Sequence, residues 1–84
     1  MPRIALIGSI AVRIYRDDVG RHRKPHFHAA AVDGEVLVSI PELALLDGKM
    51  KPSDLRRVHR WAEQNVALLI EHWNLYNPGH RIED

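Results

Sequence analysis

Three histidines, His22, His26 and His28, fall within seven residues and are interleaved with Arg21, Arg23 and Lys24. On a β-strand His26 and His28 share one face and Phe27 takes the other, because successive side chains alternate. With Phe27 directed into a core, both imidazoles reach the opposite surface, roughly 7 Å apart between Cα atoms. Three chemistries use such a pair. Imidazole titrates near neutrality, so two of them can take a proton from an RNA 2′-hydroxyl and return one to the leaving oxygen. Arg13, Arg21, Arg23 or Lys24 would then offset charge building on the phosphate, with Tyr15 assisting. His-x-His also supplies two metal ligands, for which His22 is the nearest third and Asp17, Asp18 or Glu35 are further oxygen donors. The third use is recognition: a basic, histidine-bearing surface of Arg13, Arg21, His22, Arg23, Lys24, His26 and His28 that contacts a nucleic-acid backbone or an acidic protein.

The plainer reading stands beside these. A histidine between Pro25 and Phe27 can simply hydrogen-bond backbone and hold a turn. His59 and His72 sit at the edge of a helical apolar stripe and read as boundary packing, and His80 as solvated. Arg56, Arg57 and Arg60 read as a solvated helix face. Trp73 and Tyr76 lie on the stripe and Trp61 off it, and packing is the reading for all three.

Alternating hydrophobicity dominates the elements that must position these residues. Arg3 to Ile7 is a short strand ended by Gly8-Ser9, and Ile10, Val12 and Ile14 alternate with Ala11, Arg13 and Tyr15. Asp17 to Lys24 is a polar loop, long for a hairpin. Pro25 opens a strand from His26 to Val32, Asp33-Gly34 has the chemistry of a two-residue hairpin turn, and Glu35 to Ile40 returns. After Pro41, Glu42 to Leu46 is a further strand or a helical turn, and Asp47-Gly48 is a turn. From Pro52, the residues Leu55, Val58, Ala62, Val66, Leu69, Trp73 and Tyr76 recur at steps of three and four, a stripe of roughly 80° on one helix. Asn77-Pro78-Gly79 stops it. The fold expected is therefore α+β: an antiparallel sheet of three to five strands, then one long helix packed on one face, with a bend near Asn65 left open. Residues 1–84 form one domain, with strands mainly in 1–51, the helix over 52–76 and a tail over 77–84.

The chain has 84 residues, 45% apolar and 27% charged, which suits one modest core and argues against disorder. It has no cysteine, so disulfides and thiolate metal sites are excluded and a reducing, cytoplasmic setting is expected. No apolar run approaches the roughly 18–20 residues of a membrane span, and the start is too weak for a signal peptide. Net charge is only +1, but from Arg13 to His28 five Arg or Lys face two Asp.

Pro2-x-Ile4, Arg13-x-Tyr15, the run from His22 through Pro25-His26-Phe27-His28, Trp61-Ala62 and Trp73 follow one pattern. Over residues 2 to about 76 the chain resembles the small bacterial proteins grouped as domain of unknown function 4160. Two positions depart from it: Arg21 stands where the family has an acidic residue, and Lys24 where it has a second proline. If an acid orients a histidine in relatives, Asp17, Asp18 or a distant carboxylate must do so here. The resemblance implies paired-gene proteins of bacterial chromosomes and mobile elements, a toxin–antitoxin-like or regulatory setting.

The function expected is a small bacterial interaction domain acting through a protein partner, with nucleic acid as the other partner class, no membrane, and a homodimer compatible with its size. The alternatives are a metal-independent endoribonuclease toxin using His26, His28 and Tyr15, and a metal site on His22, His26 and His28. No cofactor is expected, and whether the chain is an enzyme is left open.

Overall fold

The computed structural model describes residues 3–16 and 24–83. Five strands, β1 (Arg3–Ile7), β2 (Ile10–Arg13), β3 (His26–Ala31), β4 (Gly34–Ser39) and β5 (Leu45–Gly48), form one antiparallel sheet in chain order. Two helices follow, α1 (Pro52–Glu63) and α2 (Val66–Tyr76), and then a short 3-10 turn, Pro78–His80.

The period-two pattern decides which sheet face is covered. Ile10 and Val12 of β2, Ile14 just beyond it, Phe27 and Ala29 of β3 and Val36 and Val38 of β4 are all buried. Register aligns them: Val12 is opposite Ala29, Ala29 opposite Val36, and Phe27 opposite Val38, so these side chains share one face. Val58 and Ala62 of α1 and Leu69 and Trp73 of α2 join the same core.

The single long helix expected over 52–76 is instead two. Gln64 and Asn65 leave the helical ladder, and their N–H groups donate to the carbonyls of Trp61 and Ala62, three residues back, at 3.1 and 3.0 Å. The Asn65 side-chain amide takes the Trp61 carbonyl at 2.7 Å, and Asn65 itself stands at φ −134°, ψ 26°. A short polar side chain that competes for backbone partners ends the first helix, and the Asn65 backbone carbonyl accepts the Leu69 N–H at 3.0 Å to open the second. The stripe survives the break, because Val58, Ala62, Leu69 and Trp73 are the fully covered helix residues. In a straight helix the two indoles would lie about 18 Å apart along the axis. With the break, Trp61 meets Phe27 edge-on at 6.4 Å between ring centroids, and Trp73 meets the neighbouring residue, His26, at 5.6 Å.

Beyond α2 the chain folds back on the helix. Trp73 Nε1 donates to the His80 carbonyl at 2.8 Å, and Asn74 exchanges hydrogen bonds with Ile82. The buried Asn77 amide donates to the Tyr15 carbonyl at 3.0 Å, tying the end of α2 to the continuation of β2.

Two turns differ from the expectation. The β3–β4 loop is Val32-Asp33, because Ala31 pairs with Gly34. Gly34 already belongs to β4, and a Cβ there would meet the Lys49 carbonyl, so it is required by close approach of the backbone. Asp47-Gly48 closes β5, with Gly48 opposite Val36. Between β4 and β5, Leu43 adopts φ 64°, held by Leu43 N–H to the Ser39 carbonyl, Ser39 N–H to the Ala44 carbonyl and Ala44 N–H to Ser39 Oγ, each 2.9 Å. A non-glycine residue in that region costs about 1–2 kcal/mol.

Candidate functional site

His28 lies in the middle strand of the sheet, with Arg13 of β2 opposite on one side and Leu37 of β4 on the other. Its ring contacts Tyr15 edge-on at 4.5 Å between centroids, and the His26 ring is 5.3 Å away. His28 Nδ1 lies 3.0 Å from Glu35 Oε2. An ionised carboxylate only accepts, so the ring donates to it through Nδ1–H. His26 is fixed the same way, with Nδ1 2.8 Å from the Lys24 carbonyl. Both rings are thus held through Nδ1 at a defined tilt.

Exposure separates them. His26 is only 2% exposed, under Trp73, while the His28 side chain keeps 16%. The expectation of two imidazoles on an open surface is therefore corrected. Both faces of β3 are covered at its His26 end, Phe27 by Trp61 and His26 by Trp73. Tyr15 and Arg13 are half-buried beside His28, and Lys24 is exposed with its ammonium 4.0 Å from Glu42. Arg21, His22 and Arg23, together with Asp17 and Asp18, lie outside the described residues. Among the described residues no three His, Asp or Glu gather to hold a metal ion.

Among the described residues the carboxylate beside His28 is that of Glu35, brought across the hairpin by the register of β3 and β4. Glu35 is opposite Ala30, diagonal to His28 on the same face. Since Glu35 is half exposed, the pair adds little stability, under about 1 kcal/mol after solvent screening. Its effect is orientation. Glu35→Leu should leave the fold intact and release His28 to a mixture of Nδ1–H and Nε2–H tautomers, read from ring nitrogen chemical shifts; a single unchanged tautomer would show that Glu35 does not set it.

A second feature had no counterpart in the sequence reading. An open groove of about 470 Å³ runs between α1 and the β4–β5 end of the sheet, floored by Val38, Leu43, Leu45, Leu55 and Val58. Arg56, His59, Arg60 and Glu63 flank it. His59, expected at the helix boundary, is exposed and pairs with Glu63 at 3.7 Å, whereas His72 is half-buried and bonded to the Leu68 carbonyl at 2.9 Å. The available signal was the apolar run Leu43-Ala44-Leu45-Leu46, too rich in leucine for a connection that faces only water.

A five-stranded meander backed by two helices, with a histidine strand at its centre, defines the class of this small α+β domain. The family model described as Domain of unknown function (DUF4160) matches residues 9–74, and the chain belongs to that family. No curated protein and no solved structure matches the chain. Among the described residues, no helix is long and apolar enough to cross a membrane.

Proposed function

We propose that this chain is a small interaction domain acting through a protein partner, as one component of a toxin–antitoxin-like or regulatory pair in the bacterial cytoplasm. The observation that carries this reading is the open apolar groove between α1 and β5, flanked by cationic side chains. Apolar surface left accessible beside charge is what a partner covers, and a chain this small has little core to spare. The basic segment Arg21–Lys24 adds positive charge to the domain. The test is site-specific photo-crosslinking in the native host, with p-benzoylphenylalanine replacing Leu45 in the groove or Glu71 on the exposed side of α2. A discrete protein adduct from position 45 and none from position 71 is expected. Equal labelling from both, or none from either, overturns the reading.

A second reading is favoured by the contact between His28 Nδ1 and Glu35 Oε2. An oriented imidazole beside Tyr15 and Arg13 is suited to general-base attack of an RNA 2′-hydroxyl on phosphorus: the hydroxyl proton passes to the ring, the new P–O2′ bond forms, the P–O5′ bond breaks, and the departing 5′-oxygen takes a proton from water. In that reading His28 is the base and His26, enclosed under Trp73, positions it. EDTA-resistant cleavage leaving cyclic phosphate ends, lost in His28→Gln, would support it over the interaction reading.

A further inference from the structure

We propose, resting on the interaction reading above, that the partner docks as an extended segment added to the edge of β5 that faces away from β4. One apolar side chain enters the groove, and carboxylates two residues to either side meet Arg56 and Arg60.

The sheet order leaves β5 paired with β4 on one side and with no described strand on the other. An edge strand offers unpaired N–H and C=O groups, which an extended segment can satisfy and a helix, bonded internally, cannot. Leu45 is opposite Val38, so its side chain faces the helical side of the sheet, where it remains 53% exposed. A residue paired beside Leu45 would face the same side and fall into the groove against Leu43 and Leu55. The strained Leu43 is part of the same wall. A leucine kept at positive φ by three local hydrogen bonds and spent on lining a half-open groove points to a surface shaped for contact.

Charge selects the occupant. Arg57 pairs with Asp54, and Glu63, the single carboxylate of the rim, lies 3.7 Å from the His59 ring. Arg56 and Arg60, one helical turn apart and exposed, carry no ion pair among the described residues. Side chains at i and i±2 of an added strand share a face, so an acid-x-apolar-x-acid pattern places both kinds of group on the α1 side. The ladder of β4 and β5 shifts register between Leu37 and Val38, leaving Leu46 without a partner. That bulge limits an incoming strand to a few backbone bonds, so side-chain recognition decides the affinity and open-ended strand stacking is discouraged.

The probe is the capped peptide acetyl-Thr-Glu-Thr-Leu-Thr-Glu-Thr-amide, titrated into the full chain and followed by amide NMR shifts. Expected are shifts at residues 43–48 and 56–60, a dissociation constant on the order of 100 µM, and at least tenfold weaker binding when both Glu become Lys or the Leu becomes Ser. The double variant Arg56→Glu/Arg60→Glu, altered only at exposed helix positions, should reverse the preference between the Glu and Lys peptides. Equal binding of the two peptides, or shifts away from β5, overturns the proposal. So does concentration-dependent dimerisation abolished by Leu45→Arg, which would assign the edge to a second copy. Failure of the peptide with a surviving adduct at position 45 overturns the strand mode alone; loss of the adduct overturns the reading beneath it.

Discussion

Trp73→Ala is expected to remove a large part of the protein's stability and to lower its urea midpoint steeply. The indole is completely buried, rests against the His26 ring and donates to the His80 carbonyl. Removing a buried aromatic of that size costs about 3–5 kcal/mol, because the cavity left behind does not collapse fully. A chain of 84 residues has a total stability on the order of 5–10 kcal/mol, so between about a third and all of it is consumed. Trp73→Phe separates the two contributions. It keeps an aromatic ring against His26 and loses the Nε1 hydrogen bond, at a cost of about 1–2 kcal/mol for the unpaired carbonyl together with the lost ring volume. Urea denaturation followed by circular dichroism distinguishes the variants. A cost below about 1 kcal/mol for Trp73→Ala would mean that α2 is an appendage to the core.

The second large effect is expected at Gly48, where α1 and the groove are spared direct change. Gly48 sits at φ +90°, and an added Cβ would run into the Glu35 carbonyl and lie 2.9 Å from Val36 Cα. Those atoms are backbone of β4, the strand paired with β5, and cannot swing away. Gly48→Ala should therefore cost about 2–3 kcal/mol, from positive φ and from steric overlap together. The loss should concentrate on β5, so amide exchange at residues 45–48 should accelerate more than exchange in β2 and β3. Gly79→Ala is the matched control, since nothing lies within 4 Å of a Cβ there, and a change within about 0.5 kcal/mol is expected. Uniform acceleration across the sheet would show that β5 does not open separately.

The sheet was legible because its inner face is written in alternation. Ile10, Val12 and Ile14 announce β2, and Phe27 with Val36 and Val38 announces the pairing of β3 with β4. The hairpin slipped by one residue because Gly34 suggested positive φ, whereas the backbone of Lys49 is what requires the missing side chain there. The helix break escaped for a different reason. Ala62, Val66 and Leu69 keep their helical spacing through it, and only the competing amide of Asn65 marks the place. The burial of His26 depends on that break, since the covering indole is 47 residues away in sequence. Glu35 as the partner of His28 follows from strand register, which alternation alone does not supply. The groove is shared between α1 and the sheet, so the leucine run from Leu43 to Leu46 could hint at its wall but not at its opposite side.

Chain order gives the two indoles a further consequence. The strands precede both helices, so a ribosome meets the cell with a finished or nearly finished meander while the residues that cover it are still being translated. At that stage Ile10, Val12, Phe27, Ala29, Val36 and Val38 form one continuous apolar plate. Local pairing between successive strands favours early formation of that plate, which makes the nascent chain most adhesive just before α1 appears. Slow decoding between Met50 and Trp73 would prolong that exposure, so codon choice over this stretch bears on yield as directly as any residue in the folded core.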